Sequence, residues 1–311
     1  MGRPFGVESE RWHVIARPSY GGEREPDSHP TPGLPTLVQS ARELPPQVAP
    51  RSSPGVVRPR GTDHHPETDP DHRGGGTAAV QTAGRTAPDG RWVVEAVRAA
   101  PPDTVAALVP ARFAAYARVF HPAVRYDGDD DVHVRWDEVA AANGTTAHRL
   151  MQWPGITGSW DYLGEADQPG LWNDAPAEGH LVAHVARELA AVLEEQTTTP
   201  GECWFGWDDG GAADLPRLRL PRADLLLTRG PVQRAATNFA PEPREQSAAL
   251  WWPADRAWCV VTDPALTTTY VGAGVAAVDA LLATRLEVAP AGPRDPVTPD
   301  CDPVNPVAPH A

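Results

Sequence analysis

The amino-acid sequence predicts an α+β fold with a mainly antiparallel sheet and two to four helices, preceded by a disordered N-terminal segment. Helical apolar periodicity dominates the first part of the predicted domain, up to residue 195. Short apolar runs bounded by Gly and Pro dominate after it, with no regular βαβ alternation. This order of elements is typical of an α+β domain and excludes a doubly wound parallel sheet.

The composition of the 311-residue chain changes near residue 90. The first 90 residues contain 14 of the 36 Pro, 12 of the 27 Gly and one of the 11 Trp. Such a segment cannot bury enough apolar surface to offset its backbone entropy, so we predict disorder over residues 1–90. We predict a single α+β domain over residues 91–290 and an extended Asp/Pro-rich tail over residues 291–311.

Turn residues divide the predicted domain into its elements. The clearest helix is expected over residues 178–195, where apolar side chains recur at helical spacing. Other helices are predicted on both sides of Pro101-Pro102, over 137–142 before Asn143-Gly144, and over 274–284. The acidic run 127–131 is predicted to form a hairpin tip. Strands are predicted over 113–120, 203–207, 224–228, 248–252, 257–262 and 269–271.

Charge and composition exclude several classes of function. The net charge is −14, of which −13 lies after residue 90, and this argues against nucleic-acid and membrane partners. All 27 basic residues are Arg, so no P-loop lysine or Schiff-base lysine is present. The N-terminus lacks a secretory signal, and the three Cys are sparse. These features predict a cytoplasmic protein.

Tryptophan is the most unusual feature of the predicted domain, because ten of the 11 Trp lie between residues 92 and 258. Neighbouring residues of a strand point to opposite faces, so Trp251 and Trp252 are both buried only if the sheet is covered on both faces. Otherwise one of them is exposed, and exposed Trp is common at binding surfaces. We therefore select Trp207, Trp251 and Trp252 as candidate ligand- or partner-binding residues, although burial beneath helices on both faces is the favoured interpretation.

A metal site is the alternative to a binding surface. His180 and His184 are four residues apart on the predicted helix 178–195, with Glu188 one turn further on, so all three share a face. A zinc site needs a third and usually a fourth ligand, and His121, His133 and His148 are candidates for completing it. An ordinary solvated helix face explains the same residues.

No cofactor is predicted. Residues 272–277 match G-x-G-x-x-A, but too few residues follow them to complete a nucleotide-binding sheet. Cys203 and Cys259 lie among large apolar residues, which is typical of inert core thiols.

Several short motifs resemble those of an uncharacterised protein family of high-GC bacteria. They are Tyr116–Pro122 (YARVFHP), Gln152–Pro154 (QWP), Cys203–Gly206 (CWFG), Leu250–Val260 (LWWPADRAWCV) and Thr269–Gly272 (TYVG). The resemblance covers residues 112 to 306 and implies no activity. The sequence therefore favours a non-enzymatic cytoplasmic binding or protein-interaction domain, with a protein or a small molecule as partner. The alternative is a metal-assisted hydrolase that uses His180 and His184.

Overall fold

The computed structural model describes residues 81–82, 90–128, 130–163, 166–208, 217–240 and 245–307, all within one compact unit of the chain. The predicted disorder of residues 1–90 lies almost wholly outside these residues. The described part contains five α-helices and 11 strands. The helices are α1 (Arg91–Ala99), α2 (Trp136–Asn143), α3 (Trp153–Thr157), α4 (Ala183–Glu194) and α5 (Val275–Leu282).

The strands form one large antiparallel sheet and one hairpin. The large sheet has nine strands in the order β1-β7-β5-β8-β9-β10-β2-β11, with β6 also paired to β7; β3 and β4 form the hairpin. The α+β class with a mainly antiparallel sheet is confirmed. The strands are β1 (Gln81–Thr82), β2 (Ala115–Phe120), β3 (Ala123–Asp127), β4 (Asp130–Val134), β5 (Cys203–Trp207), β6 (Arg217–Arg219), β7 (Asp224–Gly230), β8 (Leu250–Pro253), β9 (Cys259–Thr262), β10 (Thr268–Ala273) and β11 (Val288–Ala291).

Both faces of the large sheet are covered. One face packs against α4 and α5 through Val185, Leu189 and Leu281. The other face packs against α1 and a short 3-10 helix (Val105–Ala107), whose Val93 and Val105 are fully buried. A third apolar cluster joins α2 and α3 to the end of β2. A sheet covered on both faces buries side chains of both parities along each strand.

The start of α4 differs from the prediction. The helix was expected from residue 178, but it begins at Ala183. Gly179 has φ +68°, a left-handed conformation that an α-helix does not contain, and an added Cβ there would lie 2.7 Å from the carbonyl oxygen of Pro264. His180 therefore lies before the helix rather than one turn from His184.

A carboxylate from a distant strand caps the N-terminus of α2. The Glu287 side chain, next to β11, accepts hydrogen bonds from the backbone N–H groups of Trp136 (2.7 Å) and Asp137 (2.9 Å). A carboxylate at this position satisfies two of the unpaired N–H groups of the first turn and interacts favourably with the helix dipole. Burial raises the pKa of Glu287 to about 7, and the nearby Asp137 carboxylate adds to the shift, against the effect of Arg135 and the two N–H donors.

Residues 292–307, which we name the C-terminal strap, follow β11 along the surface of the domain. Asp302 accepts hydrogen bonds from His148 Nε2 (2.9 Å) and the backbone N–H of Gln152 (3.0 Å). Asn305 pairs through its side-chain amide with the backbone of Thr146. An added Cβ on Gly155 would lie 2.5 Å from Asp302 Oδ2, so the strap packs where only glycine leaves room for it. The predicted tail of residues 291–311 therefore has an anchored part.

Candidate functional site

A groove opens between α1 and the hairpin of β6 and β7. The end of α1 and the loop after it form one wall, and the two-residue turn Pro221-Arg222 forms the other. Arg98 donates a hydrogen bond to the carbonyl oxygen of Arg219 (3.3 Å) and so links the two walls. The groove has a volume of about 620 Å³ and is lined by Val97, Arg98, Ala100, Pro102, Asp103, Ala107, Pro221 and Arg222.

A smaller chamber of about 30 Å³ continues the groove toward the sheet. Groove and chamber share four lining residues, so one opens into the other: Val97, Ala107, Pro221 and Arg222. The deeper walls are apolar side chains that are nearly fully buried, namely Leu108, Leu225, Ala249 and Val261. The floor is polar, because Thr262 ends β9 there and Asp263 follows it.

Arg222 spans the mouth of the chamber and pairs with two carboxylates. Its Nε lies 3.2 Å from Asp263 Oδ2, and its Nη1 lies 3.9 Å from Asp103 Oδ1. The Asp263 side chain is 5% exposed, whereas those of Arg222 and Asp103 are 41% and 64% exposed. Asp263 Oδ1 also accepts the backbone N–H of Ala265 (3.0 Å). The floor of the chamber is therefore a buried carboxylate with a cation already bound to it.

Asp103 is held on the rim in a left-handed conformation, with φ +56°. Asp is one of the few residues besides Gly that visits this region of backbone space. Its carbonyl oxygen accepts the backbone N–H of Val297 (3.1 Å), and the next residue, Thr104, forms a β-bridge with Pro296 of the C-terminal strap. These contacts fix the rim of the groove independently of Arg222.

A chain of buried hydrogen bonds fixes the chamber floor from behind. His121 Nδ1 lies 2.6 Å from the carbonyl oxygen of Ala177, and Nε2 lies 2.9 Å from Thr269 Oγ1. Because a carbonyl only accepts, Nδ1 carries the proton and Nε2 accepts from the Thr269 hydroxyl. Thr269 Oγ1 then accepts from Thr262 Oγ1 (2.7 Å). Burial lowers the pKa of His121 to about 4, so the chain contains a neutral imidazole at neutral pH.

The three tryptophans selected from the sequence do not line the groove. Trp207, Trp251 and Trp252 are 0%, 1% and 1% exposed, so none presents its indole to solvent. Trp251 packs edge-on against Trp258 on the face that carries α4, and Trp252 packs edge-on against Trp92 on the opposite face. Helices cover the sheet on both faces, and this buries the three side chains, as the favoured interpretation of the sequence expects.

The two histidines of the metal hypothesis have different neighbours. His180 Nδ1 accepts the backbone N–H of Ser247 (2.9 Å), and Nε2 lies 3.2 Å from Glu245 Oε2. Both ring nitrogens of His180 are therefore occupied. His184 instead stacks on His133 of β4, with ring centroids 3.9 Å apart. Burial lowers the pKa of His184, and His133 and Arg187 lower it further.

The other candidate ligands are also placed elsewhere. Both ring nitrogens of His121 and of His148 already have partners, the latter in Asp302 and the backbone N–H of Leu150. Across the described residues, no group of three His, Cys, Asp or Glu side chains is arranged to hold a metal ion. Burial raises the pKa of the Cys203 thiol to about 12 and also raises that of Cys259.

Gly272 of the G-x-G-x-x-A match has a packing role. It lies within β10, which pairs antiparallel with β2 and β9. An added Cβ there would lie 2.5 Å from the Phe113 ring and 2.7 Å from Val109. The absence of a side chain thus allows the segment before β2 to pack closely on the sheet. The strand is antiparallel to its neighbours, whereas a dinucleotide-binding fingerprint follows a strand of a parallel sheet.

Sequence reasoning missed the residues of the groove. Arg222 and Asp263 are 41 residues apart, and each stands at an ordinary turn after a strand. The register of β6 with β7 places the turn that carries Arg222 above the end of β9, and this register follows from the tertiary fold. The one local sequence signal was Pro221, just before Arg222. It predicts a turn there but not where that turn lies in the folded domain.

No known protein family matches the chain, and no curated protein or solved structure matches it. The motif resemblance described above therefore stays a prediction. No helix in the described part of the chain is long and apolar enough to cross a membrane.

Proposed function

We propose that this protein is a non-enzymatic protein-interaction domain that binds a segment of its partner in the groove between α1 and the β6–β7 turn. The observation that supports the proposal is the groove itself. Its volume of about 620 Å³ is in the range of ligand-binding sites, and it combines apolar walls with a few convergent charges. Such a combination supplies both affinity and orientation for a bound chain.

The chemistry of the groove favours binding over catalysis. Its lining contains no Ser, Cys or His, and the chamber adds Thr262 as the single hydroxyl. That hydroxyl belongs to a fully buried side chain and is directed to Thr269, so it is not presented to a substrate in the chamber. The metal-assisted hydrolase is the weaker alternative, because His180 has both ring nitrogens occupied and His184 faces His133.

We further propose that the domain acts in the cytoplasm and binds neither nucleic acid nor membranes. The three cysteines are all free, which suits a reducing compartment. The charge of −13 after residue 90 repels polyanions.

Panning a random peptide library on the full-length protein tests the proposed function. We expect selected peptides to bind the wild type and to bind the Ala107→Trp variant at least about tenfold more weakly, because an indole at this shared lining position fills the groove. Ala191→Trp is the matched control, since Ala191 is exposed on α4 on the other side of the sheet. This control is expected to bind as the wild type does.

Two results would contradict the proposed function. One is that no peptide is enriched on the folded protein. The other is that the enriched peptides bind Ala107→Trp and the wild type equally well, which would place the interaction elsewhere.

A further inference from the structure

The Arg222 side chain lies at the opening of the chamber, in the position that the side chain of a bound ligand would take. The residue belongs to a two-residue turn at the surface, yet its guanidinium pairs with a carboxylate that is 5% exposed. The same chamber is lined by the apolar residues Val97, Leu220 and Leu225. An aliphatic stem between apolar walls, with its cationic head on a buried acid, is how an arginine side chain is best accommodated.

We propose that the chamber is a recognition pocket for an arginine side chain of the partner, and that Arg222 occupies it in the unbound protein. On binding, the partner's guanidinium replaces that of Arg222 on Asp263 and approaches Asp103 on the rim. This inference rests on the proposed function and names the partner as a basic, arginine-bearing peptide segment.

The charges around the chamber favour a cationic guest over other guests. The floor carboxylate of Asp263 is buried in the turn that follows β9, between the hydrogen bond of Thr262 to Thr269 and its own bond to the N–H of Ala265. The rim adds the second carboxylate of Asp103, whose 3.9 Å separation from Arg222 leaves it weakly paired. The net charge of −14 attracts a basic peptide from a distance.

Guanidinium suits this pocket better than ammonium. It is planar, offers five donors and is more weakly hydrated than an ammonium ion, so less hydration is lost when it enters an apolar chamber. Asp263 Oδ2 forms an ion pair with Arg222 Nε at 3.2 Å, while Oδ1 accepts the backbone N–H of Ala265. A guanidinium reaches Asp263 with one edge and Asp103 with another, as Arg222 does.

Because the ligand competes with the Arg222 side chain for the same site, truncation of Arg222 has an unusual predicted effect on affinity. A site that is blocked by a tethered group binds its ligand with an affinity reduced by the fraction of time it is free. Arg222→Ala therefore increases affinity for an arginine guest, whereas most substitutions in a binding site decrease it.

Calorimetric titration with N-acetylarginine amide tests this inference, with N-acetylcitrulline amide as the neutral isostere. We expect Arg222→Ala to bind the arginine compound at least about tenfold more tightly than the wild type, and the citrulline compound at least about tenfold more weakly than the arginine one. Adding Asp263→Asn to Arg222→Ala is expected to abolish the preference for arginine. Arg219→Ala is the matched control, because Arg219 is an 80% exposed arginine of the same hairpin that pairs with Asp224.

Arg222→Met keeps an unbranched apolar stem and replaces Arg222→Ala if the alanine variant does not fold. Equal binding of the arginine and citrulline compounds overturns the inference, as does an Arg222 variant whose affinity for arginine is unchanged or lower. The inference and the proposed function fail separately. If library peptides lose binding on Ala107→Trp but contain no arginine, the groove is a binding site and the arginine pocket is wrong.

Discussion

The two faces of the large sheet and the groove beside α1 use opposite kinds of residues. The faces contain five buried tryptophans that pack on other aromatic rings, as Trp251 does on Trp258. The groove and its chamber are built from apolar side chains around an ion pair between the partly exposed Arg222 and the buried Asp263. The residues that stand out in the sequence thus hold the fold together, whereas the candidate site arises where ordinary residues converge.

The largest effect is expected in the aromatic packing. Trp251→Ala removes a fully buried indole that packs against Phe205 and Trp258, and we expect a loss of about 3–5 kcal/mol in the free energy of unfolding. Val275→Ala is the control, since Val275 is 56% exposed on α5 and its truncation changes stability by less than about 0.5 kcal/mol. Denaturant titration measures both. Similar stabilities of the two variants would contradict the assignment of the tryptophans to packing.

The cap of α2 gives the second effect, which depends on pH. Glu287 has a pKa of about 7 in the folded protein against an ordinary 4.5, so between these values the folded state binds more protons than the unfolded state. Stability contributed by this group therefore falls as pH rises through that range, by up to about 3 kcal/mol. Glu287→Gln removes the titration and keeps one acceptor oxygen, so it preserves one of the two hydrogen bonds to α2 and serves to compare pH dependence rather than absolute stability.

The measurement is the free energy of unfolding at pH 4.5, 6 and 7.5 for Glu287→Gln and for the wild type. We expect the difference between the two proteins to change in favour of the variant as pH rises. An identical pH dependence would show that Glu287 titrates normally.

The C-terminal strap gives the third effect. Gly155→Ala places a Cβ within 2.5 Å of Asp302 Oδ2 and 2.8 Å of the Asn305 carbonyl oxygen, and we expect a loss of about 1–3 kcal/mol as the strap is displaced. Cys301 belongs to the strap, so its reaction with a thiol reagent is expected to accelerate, while the buried Cys203 stays unreactive. Gly201→Ala is the control, because nothing lies within 4 Å of its added Cβ. Unchanged labelling of Cys301 in Gly155→Ala would contradict the packing of the strap.

No effect is expected at the histidines of the metal hypothesis. We predict that the purified protein carries no stoichiometric zinc or manganese and that His184→Ala leaves its metal content unchanged, because His184 stacks on His133 and His180 is fully hydrogen-bonded. Elemental analysis measures the content. Stoichiometric metal that is lost on His184→Ala would favour the hydrolase instead.

Much of the fold follows from local sequence patterns. The strand 203–207 was predicted with its observed bounds, and the helix before Asn143-Gly144 ends there because Gly144 adopts φ +69°. The start of α4 was not predictable from apolar spacing, since the backbone at Gly179 depends on its contact with Pro264. β6 and β11 were not predicted either. Both are short and depend on pairing with a neighbouring strand, β6 with β7 and β11 with β2.

The candidate site was less predictable than the fold for a physical reason. Apolar periodicity reports which face of an element is buried, but it does not report which two turns meet. Asp263 and Arg222 each look like a solvated turn residue until the sheet brings them within 3.2 Å. The high tryptophan content is a strong signal in the sequence. Its cause is packing, because the sheet is covered on both faces and buries these side chains.

Hydrogen–deuterium exchange of the full-length protein, with and without saturating N-acetylarginine amide, compares the two regions in one measurement. We predict that protection increases in peptides that carry the groove and chamber, around residues 97–107, 219–225 and 261–265. Exchange in strands β5 and β8, which carry the buried tryptophans, is expected to stay unchanged. Protection confined to other surfaces, or no protection anywhere, would contradict the assignment of arginine binding to the chamber.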